Sequence, residues 1–168
     1  NQVCNYRCPH CIIAYKDEVD EYYEGKYLNF NDFKKIVDEG SQYGCPSISP
    51  QGNNEPFLIK DLHKYINYAH KKGFIDIMLN NNGSALTPRR CQEALDSGLT
   101  RMRFSLDEFT PETYSKVRVG SLPLEKVIRN IDTFLELKEK GNYKLPVTGV
   151  SFVKMKQNEH ELDDFINF

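Results

Sequence analysis

The chain has 168 residues, with 22 Lys and Arg against 24 Asp and Glu, and its formal net charge is −2. This length suits one domain of ordinary size or part of a larger one. The balanced charge argues against nucleic acid or anionic lipid as a partner. Because no run of 18 apolar residues occurs, no membrane partner is expected either.

The first half of the chain alternates between helical and extended patterns. Asn29 can cap a helix whose apolar residues follow helical spacing. Residues 46–50 form a short apolar run, and residues 62–69 repeat the helical stripe before Gly73 ends it. Residues 74–79 are apolar and partly β-branched, which predicts a strand.

The second half repeats this unit, beginning with a turn predicted at residues 80–83. The Thr-Pro pairs 87–88 and 110–111 each predict a helix start, because Thr caps well and Pro suits the first helical position. The remaining predicted elements are strands at 102–106 and 147–153, a long helix from 124 to 135, and a last helix capped by Asn158.

Regular alternation of strands and helices predicts an α/β fold with parallel strands. A curved or barrel-like sheet is expected, and functional residues in such sheets gather at the carboxyl ends of the strands. Three polar clusters follow predicted strands here: residues 53–55, 80–83 and 105–107. These clusters are therefore the candidate site.

Three cysteines near the start form a C-x3-C-x2-C loop, consisting of Cys4, Cys8 and Cys11. Thiolates bind zinc, copper(I) or iron–sulfur clusters. A structural zinc needs a fourth ligand, which His10, Cys45 or Cys91 could supply. Three thiolates on a [4Fe–4S] cluster would instead leave one iron open to a small molecule.

The other two cysteines, Cys45 and Cys91, lie far from this loop and from each other in the sequence. Five cysteines are an odd number, which argues against a disulfide framework and favours a reducing, cytoplasmic setting. Cys45 lies at the start of a predicted strand and Cys91 on a predicted helix, so both are expected to be small buried side chains.

The cysteine loop resembles the signature of the radical S-adenosylmethionine (SAM) superfamily. That resemblance implies a [4Fe–4S] cluster on Cys4, Cys8 and Cys11 that binds SAM and, when reduced, cleaves it to a 5′-deoxyadenosyl radical, which abstracts hydrogen from the substrate. It places His10 near the adenine and assigns no side chain a catalytic role.

Two further stretches carry the resemblance. Asn53-Asn54-Glu55-Pro56 is similar to the family's Gly-Gly-Glu-Pro motif, where backbone carbonyls and the Glu receive the SAM ammonium. Asn replaces both glycines here, and Asn tolerates a left-handed backbone better than other non-glycine residues. Asn82, within Asn81-Asn82-Gly83, resembles the central position of the family's Thr-Asn-Gly.

A third stretch resembles family members that carry a C-terminal auxiliary-cluster (SPASM-like) domain. Ser105, Asp107 and Arg118 match their Ser-x-Asp and Arg-x-Gly positions, which implies that Ser105 and Arg118 hold the ribose or carboxylate of SAM. Val153 is implied at the adenine pocket. The alternatives are a solvated Glu55, a surface Arg118, an Asp107 that caps a turn and a core Val153.

The family fold is a partial (βα)6 TIM-like barrel. Residues 1–168 would form its core domain without the first strand and last unit, incomplete at both ends. The implied enzyme is an oxidoreductase or maturase that takes a peptide or small-molecule substrate and electrons from a reductant such as flavodoxin or ferredoxin. A zinc-binding structural module and an iron–sulfur electron carrier remain the alternatives.

Overall fold

The computed structural model describes residues 3–15 and 28–167. Within these ranges four parallel strands form one sheet in the order β1-β2-β3-β4, which is also their order in the chain. The strands are β1 (Ser47–Ile48), β2 (Asp76–Asn81), β3 (Arg101–Ser105) and β4 (Val147–Ser151). The sheet is open in these ranges, as in a partial barrel, and the predicted α/β class with parallel strands is confirmed.

Helices connect the strands and follow them in the described ranges. They are α1 (Phe30–Gln42), α2 (Leu62–Lys71), α3 (Pro88–Leu95), α4 (Pro111–Val117), α5 (Leu124–Lys140) and α6 (Leu162–Asn167). Short 3-10 turns occur at Ile12–Tyr15, Pro56–Leu58 and Glu159–Glu161. None of the described helices has the length and apolar character needed to cross a membrane.

Most helix starts lie where the caps predicted them. The Asn29 side chain accepts a hydrogen bond from the Asp32 backbone N–H at 2.9 Å, which satisfies one of the free donors at the start of α1. The hydroxyls of Thr87 and Thr110 do the same for α3 and α4. Asn158 is different, because its side chain makes no capping bond. Its amide donates to the carbonyls of Asp107 and Val153 instead.

The core lies on one face of the sheet. Met102 and Phe104 of β3 are buried against the helices, whereas Arg101 and Arg103 on the opposite face are exposed. This alternation is the period of two expected for a strand covered on one side. The buried apolar side chains of α1, α2 and α3 and Phe134 of α5 join the same apolar cluster. The other buried side chains of α5, Leu124 and Val127, form a second cluster with Leu106 and Tyr114.

Two further local expectations were wrong. Cys45 is exposed and lies just before β1, whereas Cys91 is fully buried as predicted. Strand β2 ends at Asn81, inside the predicted turn at 80–83. It extends that far because Asn81 pairs with Phe104 of β3 and the Asn80 backbone N–H donates to the Gln51 side chain at 2.7 Å.

Candidate active site at the carboxyl ends of the strands

The cysteine loop is held against the end of α4 by backbone and side-chain contacts. The Arg7 backbone N–H donates to the Val119 carbonyl at 2.8 Å, and the Cys11 N–H donates to the Cys8 carbonyl at 2.9 Å. Tyr6 is 1% exposed, and its hydroxyl lies 3.3 Å from the Tyr114 hydroxyl of α4. The position of the loop is therefore set by the protein itself.

The three thiols share one region but have different surroundings. Cys8 is buried, and Cys4 and Cys11 are partly exposed. Burial raises the pKa of the Cys8 thiol, while Arg118 opposes the rise. Burial also raises the pKa of Cys4, and a hydrogen bond from the Tyr6 backbone opposes it. Without a bound cation the thiols of Cys4 and Cys8 are therefore protonated at neutral pH.

Glu55 is buried at the turn after β1. Its side chain is held between two backbone donors: Oε1 accepts from the Phe57 N–H at 3.0 Å and Oε2 from the Asn82 N–H at 2.7 Å. Burial raises the pKa of Glu55 to about 7, although both hydrogen bonds favour the ionised form. The exposed fraction is 2%, so Glu55 is not the solvated residue of the alternative reading.

The asparagines that replace the family glycines lie in the same turn. Asn54 Oδ1 accepts from the Gly52 N–H at 2.8 Å, and its Nδ2 is buried without a hydrogen-bond partner among the described residues. Asn53 is exposed beside it. On the next loop, Asn82 Nδ2 donates to Asn5 Oδ1 at 3.1 Å and lies 4.0 Å from Cys4 Sγ.

Arg118 and Asp107 form a buried ion pair below the cysteine loop. The Arg118 guanidinium contacts Asp107 Oδ2 directly, and its Nη1 lies 3.7 Å from Cys8 Sγ. Asp107 Oδ1 accepts from the Val153 backbone N–H at 2.8 Å. Asp107 thus joins the ends of β3 and β4 rather than capping a turn. Arg118 is 6% exposed, which excludes the surface role.

The remaining predicted site residues surround this pair. His10 Nε2 lies 3.8 Å from Asp107 Oδ2, and burial lowers the pKa of His10. Ser105 is the last residue of β3. Val153 is 50% exposed, so it is not a core residue.

One residue of this cluster was missed by the sequence reasoning. Glu108 is fully buried, and its Oε2 lies 3.7 Å from Arg118 Nε. Neither of its carboxylate oxygens has a hydrogen-bond partner among the described residues. Burial raises the pKa of Glu108 to about 8, opposed by Arg118 and assisted by Asp107. The signal in the sequence was a second acid directly after Asp107 at a strand end.

These residues line one open cavity of about 420 Å³. Its lining includes the three cysteines, His10, Asn53, Asn54, Glu55, Asn82, Ser105 and Arg118. Asp107 and Val153 are linked to it through Arg118 and the hydrogen bond from the Val153 N–H. The carboxyl ends of parallel strands meet at one edge of a sheet, which is why residues so distant in sequence share this cavity.

The donor set suits an iron–sulfur cluster. In the described ranges, no group of three or more His, Cys, Asp or Glu side chains has the geometry of a finished metal site. Three thiols nevertheless border the same cavity, whereas the carboxylates of Glu55 and Asp107 already accept hydrogen bonds from backbone donors or Arg118. Three thiolates fit a [4Fe–4S] cluster with one open iron, and metal binding commonly completes such a loop.

The chain is similar to known proteins in both sequence and fold. The family model for the radical SAM superfamily matches residues 1–168. The chain is 33% identical over 134 residues to a probable GTP 3′,8-cyclase of Methanococcus maripaludis, covering 80% of the chain and 43% of that protein. It is 30% identical over 164 residues to the GTP 3′,8-cyclase of Desulforamulus reducens, covering 96% of the chain and 47% of that protein. The chain thus spans about half the length of the curated relatives it matches.

Two solved structures show the same fold at lower identity. A structure of TYW1 with a lysine-pyruvate adduct bound has a TM-score of 0.61 at 15% identity, covering 97% of this chain and 56% of that one. BtrN in complex with AdoMet and 2-DOIA has a TM-score of 0.55 at 20% identity, with 76% and 51% covered.

The family match extends over the whole chain, and the three cysteines of its signature border a cavity with Glu55 and Arg118. Members of this family use a [4Fe–4S] cluster and SAM. By its sequence, its fold and its cysteine loop, the chain belongs to the radical SAM superfamily.

Proposed function

We propose that the protein reductively cleaves SAM at a [4Fe–4S] cluster bound by Cys4, Cys8 and Cys11. One observation carries the proposal: these cysteines line the same cavity as Glu55, Ser105 and Arg118, although up to 114 positions separate them. When bound, the cluster supplies the electron that converts SAM into methionine and a 5′-deoxyadenosyl radical able to abstract hydrogen from a substrate. The chain's own residues bind and orient SAM.

Acceptors for the SAM ammonium come from the turn after β1. Glu55 uses one lone pair on each oxygen for a backbone N–H, and among the described residues no donor takes the second lone pair of either oxygen. An ammonium in the cavity would favour the ionised form of Glu55, whose pKa is raised to about 7 by burial. Backbone carbonyls of Asn53 and Asn54 are proposed to complete this subsite, with Asn82 orienting Glu55 through its N–H.

Donors for the SAM carboxylate and ribose come from the end of β3 and from α4. Ser105 offers a hydroxyl at the edge of the cavity. Arg118 contacts Asp107 and Cys8, but each guanidinium Nη carries two hydrogens, so it can also donate to a carboxylate. His10 and the backbone near Val153 are proposed to enclose the adenine. Holding the sulfonium beside the cluster makes electron transfer effectively intramolecular.

We also propose a domain assignment, a cellular location, a reductant and a substrate class for the protein. Residues 1–168 would be the SAM-binding core domain of a cytoplasmic enzyme reduced by a flavodoxin or ferredoxin. The substrate would be a peptide or a small molecule, as in the oxidoreductase and maturase groups of the family. The names of the relatives make GTP the first small molecule to test.

The decisive experiment is anaerobic reconstitution of the full-length protein with iron and sulfide, followed by dithionite and SAM. We expect about four irons per chain and the release of 5′-deoxyadenosine and methionine, measured by chromatography. Cys8→Ala should abolish both results. Cys45→Ala is the matched control, because Cys45 is exposed outside the cavity, and it should retain both.

Each alternative has its own outcome in this experiment. Colourless protein with about one zinc per chain would indicate the structural module. A complete, reducible cluster that releases no 5′-deoxyadenosine would indicate the electron carrier. If SAM is cleaved, GTP consumption under the same conditions would place the substrate with that of the named relatives, and its absence would exclude GTP.

A further inference from the structure

The Arg118 side chain makes its contacts entirely inside the protein. The side chain is 7% exposed, and its guanidinium faces three partners. Nη2 contacts Asp107, Nε lies 3.7 Å from Glu108 Oε2, and Nη1 lies 3.7 Å from Cys8 Sγ. The contact with sulfur is a hydrogen bond from a cation to a cysteine of the metal-binding motif. Two acids and one sulfur therefore fix the orientation of this arginine before any ligand binds.

The backbone holds the same arrangement in place. The Arg118 N–H donates to the Tyr114 carbonyl at 2.8 Å as α4 ends, and the next carbonyl, that of Val119, accepts from Arg7 of the cysteine loop at 2.8 Å. Asp107 is anchored from the other side, because its carboxylate accepts from the Val153 N–H. The distance between Arg118 and Cys8 is thus set by two neighbouring backbone segments.

We propose that Arg118 tunes the reduction potential of the cluster by donating a hydrogen bond to the Cys8 thiolate. The inference rests on the proposed function, because it requires a cluster on Cys8. One electron from the reductant adds one negative charge to the cluster. A buried cation beside a ligand sulfur stabilises the more negative, reduced form, and hydrogen bonds to ligand sulfurs set the potentials of such clusters. Arg118 therefore makes the cluster easier to reduce.

Asp107 limits this effect. Its carboxylate contacts the same guanidinium and partly neutralises it, so the field that reaches Cys8 is that of the pair. Removal of the Asp107 charge should leave more of the positive field at the cluster. Arg118 and Asp107 substitutions should consequently shift the potential in opposite directions, which a merely structural role would not produce.

The test is a redox titration of the reconstituted full-length protein without SAM. Dithionite supplies the electrons through mediators, and the reduced cluster is counted by electron paramagnetic resonance. Arg118→Gln should lower the ratio of reduced to oxidised cluster at a fixed potential about tenfold, which is about 59 mV for one electron. Arg118→Lys keeps the charge and should recover part of the loss, and Asp107→Asn should raise the ratio.

The matched control removes the same charge far from the site. Arg101 lies exposed at the amino end of β3, where its Nε donates to the partly exposed carboxylate of Asp76 at 2.8 Å, and Arg101→Gln should leave the potential unchanged. If Arg118→Gln takes up no cluster, Arg118→Lys and Asp107→Asn still test the sign. A fall or no change in the ratio for Asp107→Asn would overturn the inference.

Added SAM separates this role from cofactor binding. If Arg118 acts only on the SAM carboxylate, Arg118→Gln and the wild type have equal potentials without SAM and differ only with it. That result overturns the inference and leaves the proposed function intact. A wild-type protein that takes up no iron–sulfur cluster overturns both.

Discussion

Glu55 makes the folding stability of the metal-free protein depend on pH. Its pKa is raised to about 7 in the folded state by burial, against an ordinary value of 4.5. The folded protein therefore binds more protons than the unfolded chain between these values. The contribution of Glu55 to stability is fully present below about pH 4.5 and is lost as the pH rises through about 7, a loss of about 3 kcal/mol.

Glu55→Gln removes this dependence and adds a constant cost. Gln cannot ionise, but it replaces one of the two acceptor oxygens with an NH2 group. One of the backbone N–H groups of Phe57 and Asn82 then loses its partner, which costs about 1–3 kcal/mol in a buried setting. The variant should be less stable than the wild type at pH 5. At pH 9 the difference should vanish or reverse.

Urea unfolding of the metal-free, thiol-reduced protein at pH 5, 7 and 9 measures this change. Glu112→Gln is the control, because Glu112 is exposed on α4 and its pKa is lowered by Lys116. Glu112→Gln should change the unfolding free energy little, and any destabilisation should increase with pH, whereas that of Glu55→Gln should decrease. An unfolding free energy difference between Glu55→Gln and wild type that stays constant from pH 5 to 9 would refute a raised pKa at Glu55.

The remaining predictions concern the cysteines and a glycine. Single Ala substitutions in the cysteine loop should abolish cluster binding, measured as iron and sulfide content, while those at Cys45 and Cys91 should not. In the native protein an alkylating reagent should modify exposed Cys45 and spare buried Cys91, as mass spectrometry would show; equal labelling would contradict their burial. Gly83 has φ +72°, and an added Cβ would lie 2.8 Å from Val127 Cγ1, so Gly83→Ala should cost about 2–5 kcal/mol of unfolding free energy. Gly44 has φ +70°, and among the described residues no atom lies within 4 Å of an added Cβ, so Gly44→Ala should cost only about 1–2 kcal/mol. If the two substitutions lower the unfolding free energy equally, a clash with Val127 does not contribute to the cost at Gly83.

Local features of the chain were predictable because their causes are local. The capping bonds of Asn29, Thr87 and Thr110 reach only three residues along the chain, so the side chain and its backbone partner are in one short segment. The same holds for the spacing of the three cysteines and the metals that it selects. The parallel class of the sheet followed from the alternation of patterns along the chain.

The electrostatics of the site depended on which loops meet in the tertiary structure. Glu55 differs from a solvated acid because the Asn82 N–H, 27 positions away, lies over its carboxylate and other side chains exclude water. The exposure of Cys45 was mispredicted because burial depends on what packs over a residue, and nothing in its own segment reports that.

Arg118 shows the same limit most clearly. The sequence marked it as a match to a family motif, but its contact with Cys8 joins positions 110 apart and its second acid, Glu108, was not anticipated. The sequence alone predicted the ligands of the proposed cluster and the parallel class of the sheet. Which charges lie beside those ligands became visible in the folded chain, because charge interactions depend on distance and burial and not on separation along the chain.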